Sequence, residues 1–229
     1  MKNKGNKMRG QQHIQISVFT GLVLTAPFLL LNPTASVLLL VGIFIGSLLP
    51  DSDASDRTAK HGDSVLFAFD KINEVFIYPL LLRLFQEKKR HRGILHTVAG
   101  VATFSIILTV ITGIVFLILN IQFNFWLIGI GLFIGGILHL MEDCCTLSGV
   151  IPLYPKYHTA FKGEIATFNR KEKRPNQFAS YLAMLFVALV VVQLFYDIAF
   201  LSMIILTLMA ITLSWLGFFA VCRVKKICK

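Results

Sequence analysis

Histidines and aspartates gather at four points along this 229-residue chain. His13 stands alone near the start. Leu49-Pro50-Asp51-Ser52-Asp53 is the second patch. His91-Arg92-Gly93-Ile94-Leu95-His96-Thr97 is the third, and His139-Leu140-Met141-Glu142-Asp143-Cys144-Cys145-Thr146 the fourth. Imidazole and carboxylate together are donors for Zn²⁺, with Mn²⁺ or Fe²⁺ as alternatives. His139 and Asp143 are four residues apart, so on a helix they share a face. Asp51 and Asp53 alternate around a turn fixed by Pro50. The candidate metal set is therefore His13, Asp51, Asp53, His91, His96, His139 and Asp143. It exceeds four ligands, which implies either supporting residues behind the metal or two ions. A divalent ion held there acidifies a water and makes it a nucleophile. Arg92 reads either as an interfacial cation or as an anion clamp suited to phosphate. Glu142 is a weaker base candidate, because it points about 100° from Asp143 around a helix. Thiolate ligation by Cys144 or Cys145 is a secondary option. His61 and His158 read as surface histidines, and Thr146 and Gly149 as the end of a helix, Gly149 in the C′ position.

The elements that must position these groups are membrane helices. Hydrophobic residues make up 55% of the chain and charged ones only 15%, against roughly 25% charged in a soluble domain. That excludes an ordinary soluble enzyme. Twenty phenylalanines exclude disorder, and four cysteines are too few for a disulfide scaffold. A spanning helix takes about 20 mostly apolar residues. The sequence predicts six, in three hairpins: 14–31 with 35–49, 95–119 with 125–141, and 178–196 with 201–222. The fold expected is an all-α integral membrane protein, one membrane domain over 1–229. The first pair is short enough to span with local thinning or to form a re-entrant hairpin. The basic start and first apolar run lack a cleavage site with a polar mature start, so they read as an anchor.

Charge sets the orientation. All 22 lysines and arginines fall in Met1–His13, Pro50–Ile94, Glu142–Gln177 and Arg223–Lys229. These segments lie on one side of the predicted topology. The positive-inside rule makes that side cytosolic, with both termini in the cytosol. The cysteines then lie on the reducing side, and no disulfide is expected. The bases are spread over four segments without a reading helix, which argues against nucleic acid. Two cytosolic insertions, 50–94 and 142–177, remain. In the first, Val65, Phe69, Ile72, Phe76, Leu80 and Leu84 recur at helical spacing, so Ser64–Gln86 is expected to lie on the membrane as an amphipathic helix. The second is polar, expected to be irregular or to hold short strands. This topology brings all four chemical patches to one depth, at the cytosolic membrane surface, where ionisable groups are costly and functional.

At these residues the chain resembles the bacterial and archaeal membrane-bound metal-dependent hydrolases, the YdjM-type family of LexA-regulated inner-membrane proteins. The shared pattern is a His near the start, Leu-Pro-Asp-x-Asp, His-Arg-Gly-x-x-His-Ser/Thr and His-x-x-x-Asp-x-x-Thr-x-x-Gly. Here these are His13, Leu49 to Asp53, His91 to Thr97, and His139, Asp143, Thr146 and Gly149, followed by Leu153-Tyr154-Pro155. The likeness runs from about residue 10 to 156, and the last helical pair does not contribute. It implies a multi-helix membrane protein with hydrolase activity. The expectation is a metal-dependent hydrolase acting on a phosphoester, lipid-linked rather than soluble, with the bilayer as partner. Asp51, Asp53 and Arg92 are its candidate catalytic residues. The competing expectation, from the same cluster, is a membrane metal transporter or a metal sensor without catalysis.

Overall fold

The computed structural model describes residues 10–53, 79–80, 83, 94–122, 124–166, 169, 171–196 and 198–228. The predicted surface helix Ser64–Gln86 lies outside them, apart from helical, exposed Pro79, Leu80 and Arg83. His91 and Arg92 also lie outside them.

Among the described residues, six α-helices build the bundle: α1 Gly10–Leu29, α2 Pro33–Leu48, α3 Val98–Ile118, α4 Phe125–Cys144, α5 Arg174–Phe195 and α6 Phe200–Val221. All but α2 are long and apolar enough to cross a membrane. The 16 residues of α2 reach about 24 Å. The apolar runs locate the helices because lipid forces every backbone group to bond within its own segment. Exposed Ile106, Leu117, Met184, Leu194, Leu201 and Leu213 give α3, α5 and α6 apolar outer faces suited to lipid tails.

The helix ends differ from the expected ones for local reasons. Asn32 caps α2 by accepting from Ala35 N (3.0 Å), and Pro33 sits in its first turn. α5 begins at Arg174 rather than at 178, because Pro175 fits the first turn, where its missing N–H costs nothing. α4 continues past 141 to Cys144. The third run does not enter its helix at 95. Ile94–His96 is a separate 3-10 turn, and Thr97 caps α3 by accepting from Gly100 N at 3.0 Å. Thr97→Ala is expected to cost about 1 kcal/mol, with Thr97→Ser near wild type, as read by thermal unfolding in detergent.

Helix α1 lies among α2, α4, α5 and α6. Gln12 Nε2 donates to Asn176 Oδ1 (3.2 Å) and Gln193 Nε2 to Pro27 O (3.1 Å), tying α1 to α5 near both ends. The most extensive pairing is α2 with α4. There the backbones touch through glycines: a Cβ on Gly42 or Gly46 would run into Ile128 O or Leu132 O. Gly131 and Gly135 meet Leu39 O and Ile43 O in the same way. This is the small-xxx-small contact of membrane helices, used by both partners.

The second insertion folds back on the bundle. A strand, β1 Thr159–Lys162, pairs antiparallel with β2 Lys225–Cys228, Thr159 opposite Cys228. Ile165 N donates to Cys145 O (3.0 Å) and Glu164 N to Cys222 O (2.9 Å), so this segment clasps the ends of α4 and α6. Gly149 is not the C′ residue of α4. It lies beyond the cap Cys145, at φ +64°, where the chain turns toward β1 and a side chain would strike Phe161 O. Thr146 does serve the helix end, donating its hydroxyl to Asp143 O (2.8 Å).

Candidate metal centre

Four separate elements deliver the cluster to one end of the bundle. His13 comes from the first turns of α1. Asp51 comes from the 3-10 turn Pro50–Asp53 that follows α2, and His96 from the turn before α3. His139 and Asp143 lie on the last turns of α4. The protein interior encloses nearly all of this. The side chains of His96, His139 and Asp143 are 0%, 1% and 2% exposed, while Asp51 is 46% exposed. The cluster therefore opens only on the Asp51 side among its described members.

The hydrogen bond of one ring fixes what the cluster can hold. His139 Nδ1 lies 2.8 Å from Ser47 O. A carbonyl only accepts, so Nδ1 carries a proton, and in the neutral ring Nε2 carries the lone pair. That bare Nε2 is buried without a hydrogen-bond partner. It faces Asp51 Oδ1 at 3.9 Å and Asp143 Oδ2 at 3.8 Å. An electron pair facing two carboxylate oxygens in a buried site is costly unless a cation lies between them. His96 Nε2 completes the arrangement, 3.8 Å from Asp51 Oδ1 and 3.6 Å from Asp143 Oδ2. Tetrahedral zinc with bonds of about 2.0–2.1 Å separates its ligand atoms by about 3.3 Å. The observed spacings are a few tenths of an ångström wider, a shift that side-chain rotation can supply. Donor type, tautomer and spacing all fit a divalent cation.

Two triples of ligand atoms lie within 4.8 Å of one another, His13–His139–Asp143 and Asp51–His96–His139. His139 belongs to both. Its one lone pair serves a single ion, so the triples are two sides of one constellation. The rings are packed as well: His13 stacks on His139 with centroids 4.4 Å apart, and His96 meets it edge-on at 5.8 Å. Partial desolvation opposes charge on Asp51, yet the neighbouring rings of His96 and His13 hold its carboxyl well below the usual carboxylate range.

The other predicted residues are placed as follows. Asp53 ends the 3-10 turn that carries Asp51; its side chain, like all of His91 and Arg92, is outside the described residues. His158 is exposed, with its ring edge-on to Tyr154. Cys144 and Cys145 join neither ligand triple, and Cys144, Cys145 and Cys222 are free thiols. The helix position of Glu142 predicts that it turns away from Asp143. It does turn away, and lands against α1: its Oε1 accepts from Ser17 Oγ (2.9 Å) and its Oε2 lies 2.5 Å from His13 Nδ1. Ser17 stands outside the histidine and aspartate patches of the sequence. The signal that would have found it is its position four residues after His13, one turn along the same helix face.

Fold and cluster together define a polytopic helical membrane protein whose buried imidazoles and carboxylates converge at one end of the bundle and can hold a metal ion. The chain belongs to the YdjM inner membrane protein family, whose model matches residues 8–221. That match runs through α5 and α6, well beyond the 10–156 over which the motifs are recognisable. No curated protein and no solved structure matches the chain.

Proposed function

We propose that this protein is an integral membrane metal-dependent hydrolase that cleaves a phosphoester, lipid-linked by preference, at the cytosolic surface of the inner membrane. The observation that carries the reading is the buried Nε2 of His139, without a hydrogen-bond partner and set against two carboxylates and a second imidazole in a site open on one side. We take the open end to be cytosolic, with both termini there, because every lysine and arginine falls on that side of the predicted topology. A divalent cation, zinc by preference, lowers the pKa of a bound water and polarises a phosphoryl oxygen. The chain's own groups do the rest. His96, His139 and Asp143 hold the closed side. Asp51 stands at the opening, where substrate must enter. We assign to Asp53, on the same turn, the acceptance of a proton from the attacking water, and to Arg92 the grip on the phosphate anion. Lys88, Lys89 and Arg90 precede Arg92 in sequence and add to the attraction of an anionic headgroup.

A transporter would share this cluster. Below it, however, the described helix interiors hold no acid, lysine, arginine or histidine that could pass an ion onward. The test is metal analysis of the purified protein, with hydrolysis of a phospholipid and of a soluble aryl phosphoester measured with and without chelator. Expected are bound zinc and lipid-phosphoester cleavage that chelator abolishes and added zinc restores. Metal binding with no hydrolysis, together with zinc flux into proteoliposomes, would overturn the hydrolase reading.

A further inference from the structure

Glu142 is a carboxylate buried to 0% side-chain exposure, a placement that carries a heavy desolvation cost unless the charge is met. Its two oxygens have separate tasks. Oε1 accepts the Ser17 hydroxyl at 2.9 Å. Oε2 stands 2.5 Å from His13 Nδ1, an ion-pair contact between two buried side chains. With Nδ1 turned to Glu142, a neutral His13 ring keeps its electron pair at Nε2. That ring is stacked on His139 at 4.4 Å and belongs to the triple with His139 and Asp143. Metal-binding histidines commonly give their other ring N–H to a carboxylate, which fixes tautomer and orientation and raises ligand basicity.

We propose that Glu142 is a positioning residue that fixes the tautomer and ring orientation of His13 for metal binding, with Ser17 holding the carboxylate's second oxygen in place. This rests on the metal reading above. Glu142 acts through His13 and touches neither the ion nor the substrate. Its neighbour Asp143, on the same turn of α4, faces the ion. Two successive acids thus serve the metal from two depths, one directly and one through a ring on another helix.

The experiment is a double-mutant cycle on the full chain in detergent, reading Zn²⁺ affinity by competition with a chromophoric chelator. Glu142→Ala is expected to weaken zinc binding about 10–100-fold, and His13→Ala at least as much. The double variant is expected to bind no more weakly than His13→Ala alone, because the carboxylate has nothing left to orient. A merely structural role would make the two losses multiply, which would overturn the proposal. So would wild-type affinity in Glu142→Ala, which would leave the metal site itself intact. If Glu142→Ala fails to fold, Glu142→Gln keeps shape and an acceptor oxygen but drops the charge. It is expected to bind zinc several-fold more weakly, and wild-type affinity there overturns the proposal too. A wild-type protein that binds no zinc would remove the metal reading and this inference with it.

Discussion

His139→Ala is expected to strip the protein of metal and of phosphoester hydrolysis together, because this residue belongs to both ligand triples. Removing the ring deletes the lone pair that faces Asp51 and Asp143 at 3.9 and 3.8 Å. Two carboxylates then lose a shared partner, and the remaining donors come from elements no longer tied at their centre. A catalytic metal supplies several kcal/mol of transition-state stabilisation, so the rate should fall on the order of 10³-fold. Stability falls as well, for a separate reason. Ser47 O loses the donor it holds at 2.8 Å, and an unmet buried carbonyl costs about 1–3 kcal/mol. Metal content and unfolding temperature must therefore be measured on the same sample. His158→Ala, at an exposed ring, is the control and should retain both. Asp51→Ala keeps the Ser47 tether and should lose metal and activity with a smaller change in unfolding temperature. Full zinc content and full activity in His139→Ala would sink the assignment of this site.

How much of this was legible beforehand depends on the kind of signal. The membrane helices were legible because lipid forces long apolar runs, and the runs around 98–118 and 200–221 leave no other reading. Their ends were less so, since Pro175 and Thr97 set them by capping that hydropathy does not register. The scarce ionisable groups at membrane depth pointed to His13, Asp51, His96, His139 and Asp143, and these are the residues brought within reach of one another. Glu142 was read from its own helix, which gave its direction correctly but not what waits there. Ser17 and His13 are supplied by α1, and helix adjacency is not written in a single sequence. The pairing of 159–162 with 225–228 was hidden for a similar reason. Two helices separate the strands, and four-residue stretches of mixed polarity carry no register of their own. The four-residue glycine spacings at Gly42–Gly46 and Gly131–Gly135 were present in the sequence throughout. They become informative only once α2 and α4 are seen side by side.

Those glycines carry the second large effect. Gly46→Leu and Gly135→Leu are each expected to lower the unfolding temperature and to weaken zinc binding, although neither residue belongs to the ligand set. Lipid offers no hydrophobic force to press α2 on α4, so their association rests on close backbone packing and on contacts that only glycine permits. A side chain at Gly46 would overlap Leu132 O, and one at Gly135 would overlap Ile43 O. Both obstacles are backbone, which has no rotamer to yield. Overpacking of this kind costs about 1–3 kcal/mol and more where helices must shift. The shift is transmitted to the site because its ligands are divided between the two helices. α2 carries Ser47 in its last turn and leads directly to Asp51, while α4 carries His139 and Asp143. Parting the helices lengthens the Ser47 O to His139 bond and draws Asp51 away from both α4 ligands. Gly217 on α6 is the matched control, since a side chain there meets nothing within 4 Å. Gly217→Leu should leave unfolding temperature and zinc affinity unchanged. If Gly46→Leu behaves like Gly217→Leu, the spacing of α2 and α4 does not set the geometry of the metal centre.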